Sequence, residues 1–139
     1  MPLEPSDLPP VDLESMNRDH RDQVEMVNAV VEALDAYDGS EDATRAVDEA
    51  VEAFTEHTTE HFRHEEDEMM QFQFPAFQMH KAEHDRAIGR MRVIAATWAT
   101  DRDVDAIRPY FDRDFPAWLI GHVTAMDSVS AQFVSGNAH

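Results

Sequence analysis

No cysteine occurs anywhere in this chain. Disulfides, thiolate ligands and iron–sulfur clusters are therefore excluded, and any metal must be held by imidazole and carboxylate. Lysine is nearly absent: Lys81 is the single one, and 11 basic residues face 29 acidic ones, for a formal net charge of -18. Such a surface repels phosphate backbones and anionic lipid, so neither nucleic acid nor a membrane is an expected partner. Long apolar runs are also missing, since nowhere do enough uncharged apolar residues follow one another to cross a bilayer. The opening MPLEPSDLPP lacks the basic start and apolar stretch of an export signal. These absences point to a cytoplasmic chain. An Asp-rich, Lys-poor surface suits a salt-rich cytoplasm, where charges are screened within ~3 Å at 1 M salt. A halophilic source is the expectation: the unfolding midpoint should rise as KCl is raised, and a midpoint indifferent to KCl counts against it.

What is present is helix. The 139 residues suit one domain with a real core. Residues 1–11, which hold four of the seven prolines, read as an extended arm, and 12–139 as the domain. Asp12 is placed to cap a first helix running to about Tyr37, with an inward stripe of Leu13, Met16, His20, Gln23, Val27, Val31 and Leu34. Asp38-Gly39-Ser40 stops it and caps the next. The second helix spans about 41 to 71, with Val47, Val51, Phe54, Thr58, His61, Glu65, Met69 and Phe72 in its stripe, and Phe74-Pro75 closes it. A third covers about 76 to 99, with Phe77, His80, His84, Ala87, Met91, Ile94 and Trp98 inward, and ends in the loop Thr100 to Asp103. The fourth carries Phe111, Phe115, Trp118, His122, Met126, Val129 and Phe133; Pro109 and Pro116 should make its first half irregular. Ser135 to His139 should fray. Four helices with short connections and no strand pattern predict an all-α, antiparallel up-and-down four-helix bundle.

Each stripe turns polar near its middle, and a buried imidazole or carboxylate costs several kcal/mol unless it is paired or metal-bound. His61 and Glu65, like His80 and His84, are four residues apart on one helical face; His122 and Asp127 follow on the fourth helix, and His20 sits on the first. Any one of these pairs alone is an ordinary surface motif. Together they predict a two-metal site of five imidazoles and two carboxylates, suited to iron or manganese, whereas a single zinc needs only four ligands. His57, His64 and Glu68 lie off the centre of the second stripe and read as solvated or as standing behind the ligands. Asp101-x-Asp103-x-Asp105 opens like a calcium loop, but Ala106 stands where that loop needs glycine, so it reads as a helix cap. The eight methionines read as core filler.

These segments resemble the hemerythrin family, and specifically the bacterial single-domain hemerythrins, over nearly all of 11–133. DHRDQVEMVN at 19–28 is similar to the family's first-ligand segment. HFRHEEDEMMQFQFPAFQMHKAEH at 61–84 resembles its HFxxEE, aromatic-Pro and HxxxH run, and WLIGHVTAMD at 118–127 resembles its WLxxHIxxxxD. The resemblance implies a non-haem di-iron centre bridged by Glu65, Asp127 and an oxo or hydroxo group. One iron would be held by His80, His84 and His122, the other by His20 and His61, with dioxygen bound reversibly at the second. It further implies an oxygen pocket of Gln23, Phe62, Trp118, Leu119 and Val123, dry enough to protect the bound gas.

Two positions depart from the pattern. The family's N-terminal tryptophan is absent, and Gln23 stands where an aliphatic residue, usually leucine, is the rule. Its amide could face bound dioxygen, hold a water beside it, or turn to solvent while Val24 fills the pocket. Three functions stay open: reversible oxygen binding for storage, sensing or delivery to an oxygen-using enzyme; a di-iron peroxidase, oxidase or nitric-oxide-handling enzyme; and iron storage or donation. Manganese or a mixed pair would suit the same side chains.

Overall fold

The structure is a computed structural model that describes residues 3–137. The expected start of the arm at Met1 and Pro2, and the expected frayed end at Ala138 and His139, lie outside the described residues. Four helical rods pack around one core. The first three are α1 (Glu14–Asp35), α2 (Glu41–Gln71) and α3 (Phe77–Asp101). The fourth rod, 104–137, is composite: α4 (Val104–Pro109), a π-turn (Tyr110–Asp114), α5 (Phe115–His122), a second π-turn (Val123–Asp127) and α6 (Ser128–Asn137). No strand occurs among the described residues, so the predicted all-α four-helix bundle is the observed fold. No described helix is long and apolar enough to cross a membrane.

The helix boundaries follow from local chemistry. Gly39 takes a positive φ of 84°, which costs a glycine little, and Ser40 then caps α2 by accepting from the Ala43 amide at 3.1 Å. Asp103 caps α4 by accepting from the Asp105 amide at 3.0 Å, the role expected of that acidic loop. Asp12, by contrast, does not cap α1: the helix starts at Glu14, and Leu13 precedes it without a side-chain cap. The reason is the arm, which occupies this end. Leu3, Leu8 and Val11 are buried, and Asn17 clamps the Val11 backbone through both its amide and its carbonyl, at 2.8 and 3.0 Å. Asn28 does the same to Leu3, at 3.2 and 2.7 Å. The arm is therefore not simply extended; Pro5 starts a 3-10 turn over Pro5–Asp7.

The fourth rod departs most from expectation. Irregularity near Pro109 and Pro116 was expected and takes the form of the first π-turn, in which the Phe115 N–H donates to Tyr110 five residues back. The second π-turn was not expected; there the Ser128 N–H reaches Val123. Each wide turn inserts about one residue per turn and rotates everything downstream. Val129, expected inward, is 53% exposed, while Ser130, Ala131 and Val134 are buried instead. Ser135 to Asn137, expected to fray, continue α6. A smaller shift on α1 buries Val24 and Val30 and leaves Val31 partly covered. Methionine is not all filler either: Met16, Met69 and Met91 are buried, but Met70 and Met79 are 61% and 62% exposed.

At the core, Phe54 lies edge-to-face against Phe111 and Phe115, with centroids 5.3 and 4.8 Å apart. This aromatic layer sits one turn of α2 before Thr58 and two turns before His61. It ties α2 to the fourth rod, whose side chains face the same polar layer.

Candidate metal centre

Beyond that aromatic layer the core turns polar. His20 from α1, His61 and Glu65 from α2, His80 and His84 from α3, and His122 and Asp127 from the fourth rod are all at most 5% exposed. The i,i+4 spacings on α2 and α3 place their pairs on one face by ordinary helix geometry. The pair on the fourth rod needs more. Five residues along a regular helix turn a side chain about 140° away, but the second π-turn begins just after His122 and ends on Asp127, and its wider winding returns both to the same face.

The seven side chains form two groups that share both carboxylates: Glu65, His80, His84, His122 and Asp127 in one, His20, His61, Glu65 and Asp127 in the other. Each carboxylate gives one oxygen to each group. Asp127 Oδ2 is 2.9 Å from His20 Nε2, while Asp127 Oδ1 is 3.0 and 3.1 Å from Nε2 of His80 and His122. Glu65 Oε2 is 2.9 Å from His61 Nε2, while Glu65 Oε1 is 3.2 Å from His84 Nε2. Two anions therefore straddle a cluster of three imidazoles and a cluster of two.

A divalent pair fits this donor set. Nε2 of His122 lies 3.1 Å from Nε2 of both His80 and His84; three neutral rings cannot all donate to one another, and lone pairs face each other unless a cation lies between them. Glu65 Oε1 has no aligned hydrogen-bond donor despite its closeness to His84, and Nδ1 of His20 and of His122 are also unpartnered. Close but misaligned neighbours are what ligands of a shared ion look like, since atoms about 2.1 Å from one ion at right angles lie about 3 Å apart.

Electrostatics point the same way. Burial alone would lower the His20 pKa, but hydrogen bonds to Asp127 and Glu65 outweigh it and raise it to about 9. Burial likewise opposes the charge on His84, and the carboxylates of Glu65 and Glu66 beside its two nitrogens carry it to about 9. Burial would push both carboxyls up, and for Asp127 the Glu65 charge adds to that; hydrogen bonds from His122, His20 and His80 nevertheless hold Asp127 below the ordinary range. The His61 charge and the imidazoles of His20, His61 and His84 beside its two oxygens hold Glu65 well below it. The centre is thus built to keep two anions ionised in a dry interior, which attracts cations.

The residues expected to line an oxygen pocket cover this layer. Phe62 stacks on His84 at 4.1 Å, and Trp118 on His122 at 4.6 Å. Leu119, Val123 and Gln23 are fully buried. Gln23 does not turn to solvent, and Val24 does not replace it; both point inward. His57 and His64 stay outside both groups: His57 Nε2 is 3.3 Å from the Asp19 carbonyl, and His64 is exposed beside the Asp19 carboxylate.

Three supporting residues were not singled out from the sequence. Glu66 accepts from His84 Nδ1 at 2.9 Å, Glu83 accepts from the Trp118 indole at 2.9 Å, and Thr58 holds Gln23 at 2.8 Å. Thr58 did carry a signal, as a polar residue on an apolar stripe one turn before His61. Glu66 carried one as well, as the second acid of the HFxxEE run, whereas Glu83 carried none among 29 acids.

Comparison with known proteins agrees with this geometry. A family model described as the hemerythrin HHE cation binding domain matches residues 11–133. A bacteriohemerythrin from Aquifex aeolicus is 27% identical over 117 residues, covering 84% of this chain and 86% of the relative. Another from Methylococcus capsulatus is 27% identical over 111 residues, covering 79% of each. Among solved structures, a crystal structure of wild-type hemerythrin superposes with a TM-score of 0.77 at 23% identity, covering 97% of this chain and 98% of that one.

Proposed function

Because the chain belongs to the hemerythrin family, we propose that it binds dioxygen reversibly at a pair of iron ions, for storage, delivery or sensing. The observation that carries this reading is the uneven division of donors, three imidazoles against two across a shared pair of carboxylates. When bound, an iron pair supplies reversible, electron-transferring attachment of dioxygen. In this reading Glu65 and Asp127 would serve both ions, His80, His84 and His122 would hold one, and His20 and His61 would hold the other, which would have one protein donor fewer.

The surrounding residues keep the site from turning over. Phe62, Leu119 and Val123 are at most 1% exposed and exclude water. Every fully buried His, Glu or Asp among the described residues already belongs to the seven; the other buried polar side chains are Gln23, Thr58 and Ser130, which are neutral at any ordinary pH. Tyr110 is the other buried titratable group among the described residues, and its ring packs against Phe54, Phe111 and Phe115 rather than against the proposed ligands, which leaves no further buried acid or base poised to deliver a proton. Gln23 gives its carbonyl to His61 and an N–H to Thr58, which weakens the case for a di-iron enzyme built around a free amide.

The test is an optical titration of the reduced, iron-loaded chain from anaerobic to aerobic, followed by argon sparging. Reversal of the oxygenated band with little oxidised product is expected. Rapid irreversible oxidation, with peroxide consumed, would replace this reading with a di-iron oxidase or peroxidase.

A further inference from the structure

Gln23, the residue that departs from the family pattern, belongs to a buried hydrogen-bond chain whose direction is forced. The Thr58 hydroxyl lies 2.7 Å from the Phe54 carbonyl. A carbonyl only accepts, so the single hydroxyl proton of Thr58 is spent there and its oxygen can only accept from Gln23, 2.8 Å away. That choice turns the NH2 end of the Gln23 amide toward Thr58 and its oxygen toward His61, whose Nδ1 is 3.1 Å away. An amide oxygen also only accepts, so Nδ1 of His61 must carry the proton. Its other nitrogen, Nε2, faces Glu65 Oε2 at 2.9 Å and is the one whose proton a metal ion can displace.

We propose that Gln23 and Thr58 are positioning residues that lock His61 into the tautomer whose Nε2 is the metal-binding nitrogen. The inference rests on reading His61 as a ligand. All members are at most 1% exposed, so water cannot substitute for a missing partner. The chain starts from a main-chain carbonyl of α2, which no rotamer change can move. The device also differs from that at His84, whose Nδ1 is held by the Glu66 carboxylate. A neutral amide orients the ring without adding negative charge behind it, so the two-imidazole end remains the less electron-rich of the two. Leucine at position 23 could fill the same space but could not tell the two nitrogens apart.

Thr58→Val keeps the branched shape and removes the hydroxyl, whereas Thr58→Ser keeps the hydroxyl. Both are compared with the wild type and Gln23→Leu by 15N-histidine NMR, before and after loading with Zn2+ as a diamagnetic probe, together with stepwise Zn2+ affinities. The wild type and Thr58→Ser should show a His61 Nδ1 proton protected from exchange. Thr58→Val and Gln23→Leu should lose that protection and bind one of the two ions about 10- to 100-fold more weakly, the range for removing such an orienting partner, with the other ion little changed. A Thr58→Val protein indistinguishable from the wild type overturns the proposal, as does a zinc-loaded wild-type His61 that carries no proton on Nδ1. Failure of the underlying metal reading shows separately, as a wild type that takes up fewer than two ions per chain.

Discussion

Replacing Glu65 by glutamine is expected to abolish uptake of a metal pair, and Asp127→Asn should do the same, whereas His57→Ala and His64→Ala should load normally. Each carboxylate contributes an oxygen to both nitrogen clusters, so a single substitution removes a donor from two ions at once. It also removes one of only two negative charges that face the ions. Four-ligand protein sites are worth about 10–16 kcal/mol for zinc, which puts one ligand at about 3 kcal/mol, or roughly a hundredfold in affinity. The amide that replaces it turns an N–H2 group toward at least one cluster, which repels a cation rather than binding it. Elemental analysis after gel filtration should fall from two ions per chain to one or none. Two retained ions in Glu65→Gln would show that the carboxylates are bystanders and that the histidines alone hold the metal.

Stripping the metal with a chelator should invert the pH dependence of stability. In the stripped chain His20 and His84 are cations paired with Glu65 and Asp127. Their pKa values are raised from 6.5 to about 9, so the stability they contribute is fully present below about 6.5 and is lost as pH rises through about 9. Asp127 and Glu65 are lowered from 3.8 and 4.5, so their contribution is present above those values and is lost in acid. The stripped chain is therefore most stable between about pH 4.5 and 6.5 and should lose on the order of a few kcal/mol by pH 10. Metal requires the same imidazoles neutral, so the loaded chain should gain stability as pH rises from 6 to 8, and loading near neutral pH should release about two protons. Urea midpoints across pH, with and without chelator, measure both curves. A stripped chain with a flat midpoint between pH 6 and 10 would mean that these imidazoles are uncharged.

Much of this architecture was legible because it is local. The stripe of α2, from Val47 through Phe54 to Met69, is set by residues three and four apart, and its expected limits of 41 and 71 coincide with Glu41–Gln71. The pairs His61/Glu65 and His80/His84 share a face for the same reason. The legibility stopped where winding changed. Counting by regular turns placed Val129 inward, and the two π-turns of the fourth rod moved it out. The same wide turn is what makes the five-residue spacing of His122 and Asp127 productive, a consequence that periodicity alone conceals. At the N-terminus, Asp12 had the chemistry of a cap, but the buried arm and the Asn17 clamp decided where α1 begins.

The sequence by itself determined the helical class, the absence of thiolate chemistry, the strong negative charge and which side chains are available as donors, because each follows from composition or from neighbours within one or two turns. Tertiary structure alone decided how the donors divide. His20 meets Asp127 across 107 positions, and each carboxylate turns one oxygen to each cluster only because four rods meet at that height. It also decided the role of Gln23, whose partners Thr58 and His61 lie 35 and 38 residues away. A side chain's spacing states which face it occupies; the groups packed opposite state which of its atoms donates, which accepts and which is left for a metal.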